Sequence, residues 1–519
     1  MGYLTESFVW RSIGLIFAWV QRSFIGRFYR ALAGAWRASA VYAFFCRLLL
    51  SPAATEQSGL HRLWDRSNAG LQRRFRKGVQ AYSQSFFHRE LVCAARDSFL
   101  LGWIFRKGIT WVLLSCSALY AILDYALRDV LSLSSLASVW DELLMLLAFG
   151  WIALRIAGSK KPLKSRFNPM DGFVLVYLLT GLLLLILAST DQMSIHITGF
   201  RASMQYLLVF FMITRLIRHD KDFMDMYKLL VLIATVLAAY GVFQYIIGVE
   251  IPDQWTDSAE GDVRTRVFAI FSNPNVLGGY MVLFAPMAFG MAYATKKLSG
   301  KIFYWGCGLC MCGACLFTMS RGSWVALAIA AVLFALVVDR KLFGLLVIGG
   351  CIACFLPFVR SRIGYLFTPE FRESNQRGGR GIRWDRAFSY VTQGDAWATG
   401  LGYGMYGGAV AMQNQINPNY VYTYVDNYYV KTIAETGLIG LSALVTMLSG
   451  LLWNGARACA RNSGTEYKPL CTGMLVGLIG VLVQMYFECL WEEPYFMALY
   501  FVVAAMLIYA GFLRKKENN

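Results

Sequence analysis

The chain has 519 residues, 57% apolar and only 15% charged, with a mean hydropathy of +0.49. Its apolar residues gather in blocks long enough to cross a bilayer, which excludes a soluble globular protein and a disulfide scaffold. The formal net charge is +18. Its placement points to a lipid surface and away from nucleic acid: residues 1–107 alone hold 16 Lys+Arg against 5 Asp+Glu.

In chain order, residues 1–107 are basic and aromatic, lack a cleavable signal pattern, and include amphipathic stretches at 8–28 and 30–50. The sequence predicts a cytoplasmic or interfacial region lying on anionic lipid. Nine apolar blocks follow between 108 and 359, at 108–127, 136–157, 170–189, 198–216, 226–248, 276–295, 302–319, 324–338 and 342–359. After a long connection at 360–427, three more run over 428–513, at 428–452, 470–490 and 495–513, before a tail at 514–519. Each reads as a membrane helix, which predicts an all-α integral membrane protein of about 12 spans. Short connections on one side carry most of the Lys and Arg, including Lys160, Lys161, Lys164, Arg166, Arg215, Arg218, Arg340, Lys341, Arg457 and Lys515. The positive-inside rule makes that side the cytoplasm and puts both termini there.

Most of the 12 cysteines fall inside apolar blocks and read as packing residues. Cys307, Cys310, Cys312 and Cys315 have the look of a metal set, but thiolates are costly to hold in an apolar span and no His or carboxylate assists. The reading is packing, with no metal.

The connection at 360–427, on the extracytoplasmic side, is the place to look for function. It has seven arginines and no lysine, a bias that favours bidentate contact with phosphate or carboxylate. The bland alternative is a loop pairing with its own Glu370, Glu373, Asp385 and Asp395. Arg201, Arg264, Arg266 and Arg321 sit where spans meet the same side, against the positive-inside trend. Singly each could reach lipid phosphate; together they describe a cradle for a diphosphate.

Asp426, in Tyr424-Val425-Asp426-Asn427, stands at the start of the tenth span. A carboxylate there can accept a proton from an attacking hydroxyl, or it can simply cap the helix. Nearby arginines should favour its ionised form and lower its basicity. Nine residues on lies Glu435, followed by Gly437 and Gly440, a spacing that reads as close helix packing.

The string Asp426-Asn427-Tyr428-Tyr429-Val430-Lys431-Thr432-Ile433-Ala434-Glu435-Thr436-Gly437-Leu438-Ile439-Gly440 resembles the signature that follows the large outer loop in the O-antigen ligase and Wzy-type polysaccharide polymerase family. Supporting matches are Ser272-Asn273-Pro274-Asn275, Thr318-Met319-Ser320-Arg321-Gly322, Arg380-Gly381-Ile382-Arg383-Trp384 and Gly400-Leu401-Gly402-Tyr403-Gly404. The resemblance implies a GT-C-like glycosyltransferase, working without cofactor or metal. It would polymerise or ligate undecaprenyl-diphosphate-linked oligosaccharide, passing donor glycan to a glycan or lipid acceptor on the outer face of the bacterial plasma membrane. By position it implies Arg201, Arg266, Arg321 and Arg380 as the diphosphate clamp, with Arg383 in reserve, and Asp426 as base where the family's ligases carry His. Asn273, Asn275, Trp384, Asn427 and Glu435 are supporting residues. His196 is an alternative base. A transporter or flippase of a polyanionic glycolipid is the competing function; it should show internal repeats and broken spans.

Overall fold

In the computed structural model, the described residues are 59–86, 108–158, 166–250, 265–365, 379–392, 396–414 and 424–514, with scattered positions between them and ahead of Gly59. The stretches at 8–28 and 30–50 lie almost wholly outside this set, as do Arg264, Arg372, Arg377 and the side chain of Arg362. The described chain is helical, with a single isolated bridge between Gly407 and Tyr424.

The helices are α1 (Gly59–Ser83), α2 (Ile109–Ala118), α3 (Tyr120–Val130), α4 (Trp140–Gly158), α5 (Pro169–Ile186), α6 (Met193–Met204), α7 (Leu207–Leu216), α8 (Asp220–Ile247) and α9 (Pro274–Ala294). They continue as α10 (Leu298–Phe317), α11 (Arg321–Val337), α12 (Leu342–Phe355), α13 (Pro357–Tyr365), α14 (Arg380–Thr392), α15 (Tyr428–Arg461), α16 (Tyr467–Gln484) and α17 (Pro494–Leu513). Every expected apolar block is helical, but the count of twelve crossings is not reached on length and apolarity. Among the described residues eight helices are long and apolar enough, or nine if α2 and α3, bent by 74°, form one broken span. The α11 and α12 helices are shorter, and α4 carries Asp141, Glu142 and Arg155.

At the centre stands α9, 89% of its apolar window buried, while the α10 window is 28% buried and faces outward. The reason is local. Gly473 and Gly477 on α16 lie against the Pro286 and Leu283 carbonyls of α9, where a Cβ would collide with backbone, so the two helices touch along a glycine stripe. Gly278 makes room for the Ser323 side chain at the start of α11, and Gly322 for the Phe487 side chain in the turn after α16. These small residues draw the beginnings of α9 and α11 and the 485–493 turn together at one end of the bundle.

The longest helix, α15, is broken at Gly437, whose φ of 62° lies in the left-handed region. The break frees the carbonyls of Ala434 and Glu435. They accept the N–H groups of Leu401 and Gly402, both at 2.9 Å. A Cβ at Gly437 would overlap the Ala398 carbonyl. Gly437 thus serves a kink and a docked loop, not the helix-on-helix packing expected from its spacing with Gly440.

Candidate functional site

Three helices begin at the same end of the bundle with the same corner. Asn273 caps α9, accepting the Asn275 N–H at 2.8 Å; Ser320 precedes α11; Asn427 caps α15, accepting the N–H groups of Tyr429 and Val430 at 3.0 and 3.1 Å. The residue before each is left-handed without being glycine: Ser272 (φ 54°), Met319 (φ 55°) and Asp426 (φ 51°). Such backbone is strained. Asn427 takes the capping role that Asp426 could have had, which leaves the Asp426 carboxylate free for side-chain partners.

Those partners come from α14. Arg383 Nη1 donates to Asp426 Oδ2 at 2.8 Å and to the Tyr424 carbonyl at 3.2 Å. Arg380 Nε lies 3.6 Å from the same carboxylate oxygen, and its Nη2 donates to the Phe487 carbonyl at 3.0 Å. Spaced three apart, the two arginines share a helix face. Trp384 fixes that face by donating to the Val425 carbonyl at 2.9 Å, and Ala387 and Val391 bury against Val425, Val430 and Ala434. The bland reading, a loop satisfied by its own carboxylates, does not describe Arg380 and Arg383, which turn to the start of α15.

Beside this pair lies a carboxylate that the sequence reading passed over. Glu488 is buried in the turn between α16 and α17; it accepts from Asn275 Nδ2 at 2.6 Å and from Tyr424 Oη at 3.2 Å. Arg266 completes the chain, donating to the Thr318 carbonyl at 3.1 Å and to Asn275 Oδ1 at 3.4 Å. Arg321 opens α11 next to Gly322, which abuts Phe487. One polar assembly therefore runs from Arg266 through Asn275, Glu488 and Tyr424 to Asp426, Arg383 and Arg380.

Burial raises the proton affinity of Asp426 by more than Arg380 and Arg383 lower it. The expectation of a weakened base is therefore reversed: desolvation outweighs the arginines. Glu488 is pushed up to about 7, chiefly by burial and then by the charge of Asp426. The two carboxylates titrate as a pair.

Arg201 stands elsewhere. It pairs with Glu142 and donates to Gln205 Oε1 at 2.8 Å on its own helix. His196 is buried under Gly402, its Nδ1 3.0 Å from the Tyr403 carbonyl, and holds the docked loop. Glu435 forms a second charged group: Lys431 Nζ lies 3.0 Å from Glu435 and 3.2 Å from Glu492. Glu435 and Glu492 also receive the N–H groups of Tyr406 and Ala409 at 3.5 and 3.2 Å. A cavity of about 90 Å³ adjoins this group, bounded by Gly199, Gly404 and Trp491. Cys307 and Cys315 face the core of α10, and no metal-like group of His, Cys, Asp and Glu occurs among the described residues.

Lys431, Glu488 and Glu492 were legible only in part. The expected span at 470–490 swallowed Glu488, whereas α16 ends at Gln484. The clue was three glutamates, 488, 492 and 493, crowded at one span junction.

Residues 306–445 match the family model described as O-antigen ligase. No curated protein matches the chain. The matched stretch contains Arg321, Arg380, Arg383, Trp384, Asp426, Asn427 and Glu435; Arg201, Arg266, Asn273, Asn275 and Glu488 lie outside it.

Proposed function

We propose, from the premise that residues 306–445 match the O-antigen ligase family model within a bundle of membrane helices, that this enzyme of surface-polysaccharide biosynthesis is a GT-C-like glycosyltransferase. Its donor is an oligosaccharide on undecaprenyl diphosphate; its acceptor is a glycan or lipid hydroxyl at the outer face of the plasma membrane. The observation that carries the reading is the Asp426 carboxylate held between Arg380 and Arg383 at the start of a membrane helix.

The acceptor O–H gives its proton to Asp426 as its oxygen bonds to the anomeric carbon of the donor. The bond from that carbon to the diphosphate oxygen breaks, its electron pair stays on the diphosphate, and the configuration inverts. Burial makes Asp426 a competent acceptor of that proton. Arg380, Arg383, Arg321 and Arg266 offset the charge gathering on the leaving group; Arg201, held by Glu142, has no part in this step. The proposed topology is twelve crossings with both termini cytoplasmic. Support comes from the one-sided basic connections, and a reporter fused after residue 519 that scores as external would contradict it.

The test is to incubate purified protein with undecaprenyl diphosphate oligosaccharide, with and without acceptor lipid, and to resolve products by size. A ladder means polymerase and a single transferred unit means ligase. Transport of labelled lipid-linked sugar across a vesicle membrane with no new glycosidic bond overturns the reading in favour of a flippase.

A further inference from the structure

The end of the bundle away from Asp426 holds a second group of arginines that the proposed reaction does not use. Arg155 comes from the last turn of α4, Arg166 from the connection before α5, Arg215 from the last turn of α7, Arg218 from the turn before α8, and Arg514 from the end of α17. Asp426 and Glu488 sit at the opposite ends of their helices, roughly a membrane thickness away, ~30 Å.

Two of the five are satisfied. Arg215 grips Asp171 with two nitrogens, both at 2.7 Å. Arg514 Nε reaches Asp220 at 2.8 Å, and its guanidinium lies 3.5 Å from the centre of the Tyr467 ring. The other three are not. Nε of Arg155, Nε and Nη2 of Arg166, and Nε of Arg218 are all shut off from solvent and make no hydrogen bond. Arg155 Nη2 donates to Thr110 at 3.1 Å, and Arg166 lies over the Tyr509 ring at 5.5 Å. Asp222 accepts the backbone N–H groups of Arg218 and His219. Burial, then the charges of Arg218, Arg215 and Arg155, depress the proton affinity of Arg166. Guanidinium N–H groups shut off from water are rarely left without an acceptor, because an unsatisfied buried donor is expensive.

A cavity of about 290 Å³ opens beside the group, between α2 and α8. Its walls are Trp111, Leu114, Ser115, Met226, Leu229 and Leu232, with Asp222, Asp225 and Lys228 of the first turns of α8 at the arginine side. Trp111 follows Thr110, the partner of Arg155. A cationic pocket thus adjoins an apolar slot at the level where helices leave the membrane. The beginnings of α5 and α8 add their positive ends.

We propose that Arg155, Arg166 and Arg218 bind the phosphate of an anionic phospholipid whose acyl chain enters the slot between α2 and α8. The three arginines supply more donors than free phosphate needs, and the apolar slot has no use for inorganic phosphate; the pairing of the two favours lipid. This site is independent of the reaction at Asp426.

The experiment is thermal unfolding of the full-length detergent-purified protein titrated separately with phosphatidylglycerol, phosphatidylcholine of the same chains, and inorganic phosphate. Phosphatidylglycerol should raise the Tm, with little effect from the other two. The double variant Arg166→Gln/Arg218→Gln should melt no lower than wild type without lipid, having lost buried N–H groups that have no acceptor, and should need at least tenfold more phosphatidylglycerol for the same shift. An equal shift from inorganic phosphate or from phosphatidylcholine, or an undiminished shift in the double variant, overturns the proposal. Should that variant fail to fold, Leu229→Trp fills the slot without touching the arginines. A lost shift there supports the proposal and an unchanged one overturns it.

Discussion

Two charged groups flank the start of α15, and they are built to opposite standards. In the Lys431 group the side chains of Lys431, Glu435 and Glu492 are 9%, 3% and 12% exposed, one cation between two carboxylates. In the Asp426 group the side chains of Arg380, Arg383 and Asp426 are 41%, 25% and 21% exposed, two cations sharing one carboxylate. The first is closed and saturated. The second is open and carries surplus positive charge. A closed ion group holds backbone together; an open one with surplus positive charge can take an anion and a reacting hydroxyl. That difference separates a fastening from a site, although Asp426 and Glu435 lie on either side of the same helix start.

The sharpest way to break the comparison is Asp426→Asn, which keeps shape and removes the base. Transfer measured with lipid-linked donor should fall by about 10²–10⁴-fold with no change in melting temperature; retained turnover would move the base elsewhere. Lys431→Met should do the reverse. It leaves two buried carboxylates facing each other without a cation, a loss of roughly 3–5 kcal/mol, visible as a lower Tm, while the folded fraction still turns over. A variant with normal melting and no activity would promote Lys431 to the site. Arg383→Ala should cost about 10²-fold in kcat, with a smaller effect on KM, as expected of charge that develops in the transition state. The finest test is pH. Because burial raises Asp426, the acid limb of the rate profile should lie above the ordinary carboxylate range, activity falling as pH drops through it. Glu488→Gln removes a neighbouring negative charge, so the same limb should move to lower pH; a limb that stays put would uncouple the two carboxylates.

Much of this was legible in the residues. Apolar blocks located the helices because lipid demands satisfied backbone, and the coincidence of Arg380, Arg383 and Asp426 followed from an arginine-only bias next to a lone carboxylate. Other features depended on three dimensions. The basicity of Asp426 turns on burial, which competes with charge and has no signature in the string. Glu488 was hidden because the run from Leu470 to Leu490 is apolar enough to read through it, although α16 stops at Gln484. Arg201 shared every sequence trait of the other span-end arginines, yet Glu142 reaches it from α4. Gly437 looked like a packing residue because spacing cannot distinguish a glycine chosen for size from one chosen for its φ.

The break at Gly437 also constrains how the protein is made. Its two released carbonyls sit some 10 Å along α15, at a depth where lipid offers no donor. Only Leu401 and Gly402, from a loop synthesised before the helix, satisfy them. In an unbroken helix those carbonyls would accept the N–H groups of Leu438 and Ile439, so the break and the docked loop hold one another in place as the protein assembles, and a chain without the 400–402 segment should run α15 straight through Gly437.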